Sequence, residues 1–313
     1  MEKGKVKKIV DAAKMYYLLD YNQNEIAKAM GISRPTVSRL LQLAKSEGIV
    51  KIQITDPTEE SMDFSQRLEQ KFGLKKAIVA SIPQYEDHII KNYLGEKAAL
   101  YLHEIVKDND IIGVTWGTTL YHIAIELQQK FVKDVKVIQL KGGVSHSEKN
   151  TYASEILYLF GQAFNTVPHH LPLPAIVDHV LVKQAMEADR HIQKILDLGK
   201  QANIALFTSG PVKDESLLFQ LGYFTKEDLD MLHQNAVGDI CSRFFNINGE
   251  ICNRNLNNRT LGIALEELRT KEYSILCAGG PNKLNGIYGA LKGKYANVLI
   301  TDQYTAQFLL EKV

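Results

Sequence analysis

The sequence predicts an α/β protein in two parts, a winged helix-turn-helix over residues 1–55 and a larger domain over 56–313 built on a largely parallel sheet. Three observations predict it. The first fifty residues carry apolar groups at helical spacing, interrupted by cap and glycine signals. From residue 76 short apolar runs alternate with helical stretches, the order that makes a parallel sheet covered on both faces. Charge divides at the same place: residues 1–55 hold 10 Lys or Arg against 5 Asp or Glu, and the remainder holds 27 against 31. A basic head on a mildly acidic body points to a polyanion as the partner of the head alone.

In the head, Val6, Ile9, Val10, Ala13, Tyr16 and Tyr17 recur every three or four residues and predict a first helix over 6–19. In 22-NQNEIAKAMGIS-33, Asn22 caps a short second helix with Glu25 as its third residue, and Gly31 ends it. Ser33 caps a third helix that tolerates Pro35 in its first turn, buries Val37, Leu40, Leu41 and Ala44, and stops at Gly48. The alternation in 49-IVKIQIT-55 adds a strand in the position of a wing. In such a motif the start of the last helix enters the major groove of DNA, so Arg34, Pro35, Thr36, Ser38 and Arg39 are the candidate DNA contacts, Arg34 first among them for a guanine. A helical protein-interaction module would explain the three helices. It would not explain the excess of positive charge or the arginine- and hydroxyl-rich first turn.

Residues 56-DPTEESMDFSQRLEQKFGL-74 read as a turn at Pro57 and a charged linking helix. The body then alternates: a strand over 76–81, a helix over 87–106, a strand over 110–116, a helix beginning near Gly117 and a strand over 135–140. Further strands are expected over 203–210, 273–280 and 297–302, each followed by a helical stretch. Several strands end in small or hydroxyl residues: 113-GVTWGTTL-120, 141-KGG-143, 208-TSG-210 and 278-AGGPNK-283. In a parallel sheet these ends share one edge, where open α/β folds bind ligands. At Gly117, Thr118 and Thr119 backbone N–H groups, hydroxyls and a helix dipole converge, which suits a phosphate. Lys141, Lys283, Asp239 and Arg243 each stand at or just past the end of an apolar run, and together they predict a pocket.

Other chemistries are poorly supported. Neither a Walker sequence nor G-x-G-x-x-G occurs. Cys241, Cys252 and Cys277 are too widely spaced for a metal site or a disulfide framework and read as reduced packing residues. His146, His169 and His170 lack partners at ligand spacing, so no metal and no cofactor is expected. No apolar run approaches the ~18 residues of a membrane span, and 1-MEKGKVKK-8 lacks the apolar centre of a secretory signal, so a cytoplasmic protein is expected.

The segments 32-ISRPTVSRLLQLAKSEGIV-50, 112-IGVTWGTTLY-121, 138-IQLKGGVSHS-147, 200-KQANIALFTSG-210, 237-VGDICSRFF-245 and 277-CAGGPNKL-284 together resemble the SorC/DeoR family of bacterial sugar-responsive transcription regulators along the whole chain. The resemblance implies a Rossmann-like effector domain of the sugar-phosphate isomerase type, a DNA-binding head, and assembly as a homodimer or homotetramer. Its deoxyribonucleoside-responsive branch implies deoxyribose 5-phosphate as inducer and repression of deoxyribonucleoside catabolism genes. Carried over by position, Thr115, Gly117, Thr118 and Thr119 would hold the phosphate and Lys283 would add a cation. Gly142 and Gly143 would flank the effector and Asp239 would accept a sugar hydroxyl. Arg243 would contact the effector or serve as an ordinary surface or interface cation.

Lys141 admits two roles. Its amine could attack the aldehyde of an open-chain sugar phosphate to give a Schiff base, or it could pair with the phosphate or a hydroxyl. An enzymatic reading, as a sugar-phosphate isomerase or lysine-dependent aldolase with an appended helical module, would need a positioned acid or base, for which Asp239 is the candidate.

Overall fold

The computed structural model describes residues 3–50, 60–143 and 148–312. The chain divides into two compact units, Met1–Pro57 and Thr58–Val313. In the first, helix α1 spans Lys3–Tyr17, α2 spans Gln23–Met30 and α3 spans Arg34–Ser46. The caps are those the sequence implies. Asn22 Oδ1 accepts the N–H groups of Asn24 and Glu25 at 3.0 and 3.1 Å, and the Glu25 carboxylate accepts the Asn22 N–H at 2.8 Å, a reciprocal capping box. Gly31 leaves α2 in the left-handed conformation at φ +64°. The Ser33 hydroxyl caps α3, whose Val37, Leu40, Leu41 and Ala44 pack on Ile9, Ala12 and Ala13 of α1 and Ile26 of α2. The wing expected over 49–55, the turn at Pro57 and His146 lie wholly or mostly outside the described residues.

The second unit opens with α4 (Glu60–Phe72) and β1 (Lys76–Ala80), then α5 (Asp87–Ile105), β2 (Ile111–Val114), α6 (Thr118–Glu126) and β3 (Lys136–Gln139). Three helices follow, α7 (Ala153–Ala163), α8 (Val180–Ala188) and α9 (Arg190–Gln201), before β4 (Ile204–Phe207) and α10 (Lys226–Asn235). A short hairpin of β5 (Gly238–Ile240) and β6 (Arg243–Phe245) precedes α11 (Arg254–Arg259) and α12 (Leu265–Leu268). The unit closes with β7 (Tyr273–Cys277), α13 (Leu284–Lys292), β8 (Val298–Asp302) and α14 (Gln303–Glu311).

Six strands form one sheet in the order β1-β8-β7-β4-β2-β3, every pair parallel. Their near-continuous apolar runs follow from burial on both faces: each residue of β4 and of β8 is buried. Successive residues of β7 alternate between two cores. Ile275 and Cys277 face the layer built by Leu94, Ala98 and Leu102 of α5 and Leu120 and Ile123 of α6. Leu276 faces the layer of Leu68 from α4, Ile287 and Leu291 from α13 and Leu309 from α14. Because the strands run the same way, the segments after β2, β3, β4 and β7 emerge on one edge.

One expectation is corrected here. Asp239 and Arg243 do not follow a strand of the main sheet. They lie within the separate antiparallel hairpin β5–β6, whose two-residue turn carries φ of +54° at Cys241 and +64° at Ser242. Two consecutive left-handed residues give the turn the twist a tight hairpin needs, and with side chains present each costs on the order of 1 kcal/mol or more. Replacing Asn22 by Ala removes the acceptor for both α2 N–H groups and should destabilise the first unit by about 1 kcal/mol, read in a urea melt.

Candidate functional site

A cavity of about 750 Å³ opens at the carboxyl edge of the sheet. Of the residues expected to form a site, Gly117, Thr118, Thr119, Lys141, Asp239 and Lys283 line it. Each is placed by a local rule. Gly117 precedes α6 at φ +131°, a conformation that L side chains rarely adopt, and a Cβ there would meet nothing within 4 Å. The glycine is therefore required by its backbone angle, and it leaves the first N–H groups of α6 open towards the cavity.

The loop after β7 is held from below. Asp302 Oδ2 accepts the Gly280 N–H at 3.0 Å, and a Cβ on Gly279 would stand 2.2 Å from that same oxygen. Lys283 reaches from this loop across the sheet edge and donates to Thr119 Oγ1 at 3.1 Å and to Thr208 Oγ1 at 3.2 Å. Burial, assisted by the nearby Lys91 charge, lowers the Lys283 ammonium from 10.5 to about 8.

Lys141 follows β3 and is buried. Its backbone is fixed on three sides: its carbonyl accepts from Gln139 Nε2 at 2.7 Å, the next carbonyl, of Gly142, accepts from the Trp116 indole at 2.7 Å, and the Gly143 N–H donates to Leu173 O at 2.8 Å. The amine lies 3.6 Å from the centre of the Trp116 ring. Among the described residues it has no carboxylate within 4.0 Å. Desolvation pushes it below its ordinary pKa, partly offset by the Asp239 carboxyl and the Cys241 thiol.

Asp239 is buried as well, and burial raises its carboxyl above the usual range against the pull of Lys141 and of the Ser242 N–H, which donates to Oδ2 at 3.0 Å. Its backbone exchanges two hydrogen bonds with Gly210, at 2.9 and 3.1 Å, and a Cβ at Gly210 would stand 2.1 Å from Asp239 Oδ1. Glycine at 210 thus makes room for that carboxyl. An amine and a carboxyl both driven towards neutrality, beside a helix N-terminus and a second lysine, suit a small ligand with a carbonyl and an anionic end.

Four expected contacts lie outside the lining. Thr115 is buried and its N–H is used by Leu206 O at 3.2 Å. Gly142 and Gly143 allow close packing: a Cβ would stand 2.1 Å from Pro174 O in the first case and 2.8 Å from Trp116 Nε1 in the second. Arg243 faces neither the cavity nor solvent. Its guanidinium donates to the carbonyls of Ile263, Asn257, Thr260 and Gly262 and to Asn257 Oδ1, at 2.7 to 3.3 Å.

Sequence reasoning missed other lining residues, among them Asp87 and Lys91 of α5 and Ser216, and it placed Trp116 and Thr208 among the strand ends at the binding edge without assigning them a contact. Asp87 and Lys91 stand four apart and read as an ordinary exposed helix pair. Trp116 carried a usable signal, being the single tryptophan and closing the strand expected over 110–116.

In the first unit Arg34, Pro35 and Arg39 are exposed and Thr36 and Ser38 are half-buried, on the side of α3 away from its packed face. The Thr36 hydroxyl is engaged with Ser33 Oγ at 2.8 Å, so it serves the cap. A short helix, a glycine turn and a second helix with exposed arginines make a helix-turn-helix.

Comparison with known proteins agrees with both halves of this geometry. Residues 56–311 match the Sugar-bind family of sugar-binding domains. The chain is 53% identical to the deoxyribonucleoside regulator of Bacillus subtilis (strain 168) over 310 residues, 99% of each protein. It belongs to the SorC/DeoR family of transcriptional regulators. It is 33% identical to the sorbitol operon regulator of Klebsiella pneumoniae over 98% of each chain. The crystal structure of full-length SorC from Klebsiella pneumoniae superposes with a TM-score of 0.78 at 32% identity, over 98% of this chain and 99% of that one. As a member of the SorC/DeoR family the chain is a transcriptional regulator, which implies a DNA partner, with a sugar-binding domain, and its relatives are named as transcriptional regulators. Among the described residues no cluster of three or more His, Cys, Asp or Glu could hold a metal, and no helix is long and apolar enough to cross a membrane.

The lowered Lys283 pKa has a measurable sign. Below about 8 the folded protein carries the cost of a desolvated ammonium; between about 8 and 10.5 the unfolded chain binds the extra proton and that cost is relieved as pH rises. The stability of the native protein relative to Lys283→Met should therefore climb across that window in denaturant melts. A flat difference would contradict the assignment.

Proposed function

We propose that this regulator represses genes of deoxyribonucleoside and nucleoside catabolism and is released from its operator by deoxyribose 5-phosphate, held at Lys141 as a Schiff base. The observation that carries the reading is a buried amine with a lowered pKa opening on the same cavity as the α6 N-terminus and Lys283. The likeness to a deoxyribonucleoside regulator over the whole chain supports the choice of sugar.

The chemistry follows from the residues. Thr118 and Thr119 at the start of α6, with Lys283, receive the phosphate, and Lys141 meets the aldehyde of the open-chain sugar. At an ordinary pKa only about one lysine in two thousand is neutral at pH 7, and burial enlarges that fraction. The neutral Lys141 nitrogen adds to C1 as the C=O π bond breaks, the oxygen takes up a proton and the nitrogen gives one up, leaving a carbinolamine. Asp239, whose carboxyl burial raises above its usual range, is the group placed to supply the proton with which the carbinolamine loses water to leave the imine.

On the DNA side, Arg34 and Arg39 read base edges and phosphates from α3, with Pro35, Thr36 and Ser38 shaping its first turn. Two or more protomers, as a homodimer or homotetramer, place equivalent α3 helices on repeated half-sites. Effector and operator are then linked reciprocally: if the sugar phosphate weakens DNA binding by about 1 to 3 kcal/mol, DNA weakens sugar-phosphate binding equally.

Borohydride reduction in the presence of deoxyribose 5-phosphate should leave a mass adduct on Lys141 in the native protein and none in Lys141→Arg; an unmodified Lys141 peptide would exclude the covalent form. Arg34→Ala and Arg39→Ala should each weaken operator binding. Loss of a phosphate contact flattens the salt dependence by about 0.9 in slope, and loss of a guanine contact costs about 1 to 3 kcal/mol at one base. Mobility shifts over a salt series separate the two.

A further inference from the structure

The tryptophan beside Lys141 was not among the residues expected to bind anything, yet its ring lies directly against the amine. Trp116 is buried, its ring centre lies 3.6 Å from Lys141 Nζ, and it lines the cavity. Its orientation is fixed, because the indole N–H donates to Gly142 O at 2.7 Å and Gly143 packs against the same nitrogen. The indole therefore presents its face, which offers no hydrogen-bond donor or acceptor, to whatever is attached to the amine.

A sugar joined to Nζ through C1 has its C2 one further carbon away. With a C–N bond of about 1.3 Å and a C–C bond of about 1.5 Å, C2 stays within about 6 Å of the ring centre whichever way the sugar points. A methylene at C2 suits that surface. A hydroxyl at C2 would give up water without a partner on the ring, whereas an apolar contact costs nothing. Asp239 lines the same cavity with Oδ2 already accepting the Ser242 N–H, so selection by the ring has to be separated from selection by this carboxyl.

We propose that Trp116 is the specificity-determining residue of the cavity, selecting 2-deoxy sugar phosphates over their 2-hydroxy counterparts by placing an apolar face against C2 of the Lys141-linked ligand. The inference rests on the Schiff-base reading above and adds to it the residue that chooses the sugar. Apolar surfaces discriminate against an added hydroxyl by about tenfold to a hundredfold, and that is the preference expected here. The imine forms from amine and aldehyde with release of one water and needs no other reactant.

The test compares deoxyribose 5-phosphate with ribose 5-phosphate on the full chain, using calorimetric dissociation constants and borohydride trapping at Lys141. The native protein should prefer the deoxy sugar by at least about tenfold. Trp116→Phe keeps the apolar face and should keep the ratio, even with a lower melting temperature from the lost indole hydrogen bond. Trp116→Gln retains an N–H donor towards Gly142 O but offers C2 a polar partner, and its ratio should fall by about fivefold or more. Should the Gln variant fail to fold, Trp116→His carries the same arm.

A Gln or His variant that still traps deoxyribose 5-phosphate and keeps the native ratio overturns the proposal while leaving the Schiff base standing. So does a ratio that collapses in Asp239→Asn but not in Trp116→Gln, which would move the selection to the carboxyl. Absence of any Lys141 adduct in the native protein removes the covalent reading, and this inference with it.

Discussion

The organisation of the larger unit depends on keeping one amine out of water. Lys141 sits just past the end of β3, bridged to Gly262, while its buried side chain lies against Trp116 at the carboxyl edge. A buried lysine is costly unless something compensates, and the compensation here is distributed: the indole face, the field of Asp239, and a backbone pinned by Gln139, Trp116 and Leu173. The glycines at 142, 143 and 210 follow from the same demand, since a Cβ at any of them would meet a neighbouring atom at 2.8 Å or less. Without close approach of these strands and loops the amine would be hydrated and its pKa ordinary.

Much of this was legible in the sequence, and the reasons are physical. Caps are local: Asn22 with Glu25, and Ser33 with Pro35, act over three or four residues, so the helices of the first unit follow from spacing alone. The main strands were legible because a doubly covered strand must be apolar throughout, as 204-IALF-207 is. Gly117, Lys141 and Lys283 could be placed at the cavity because all strands of a parallel sheet deliver their ends to one edge.

What was not legible depended on pairings distant in sequence. Nothing in 237-VGDICSRFF-245 announces a hairpin turn built on Cys241 and Ser242, because that turn normally calls for glycine or asparagine. Arg243 looked like a ligand contact because it stands at the end of an apolar run, whereas its five donors are absorbed by the loop 257–263. The helix α8 has no buried residue and so no strong stripe to read. Asp87 and Lys91 join the cavity only because α5 begins beside it, a fact of tertiary packing.

The guanidinium of Arg243 carries a consequence for how such a protein diversifies. By gathering four backbone carbonyls and an amide oxygen, it anchors the loop whose Gly262 pairs with Lys141. That architectural task is discharged by a side chain that never touches the guest. Wall residues that do not hold the amine, such as Thr208 and Ser216, can then drift towards a different metabolite without disturbing its mounting, so recognition is free to change while the frame beneath it is inherited intact.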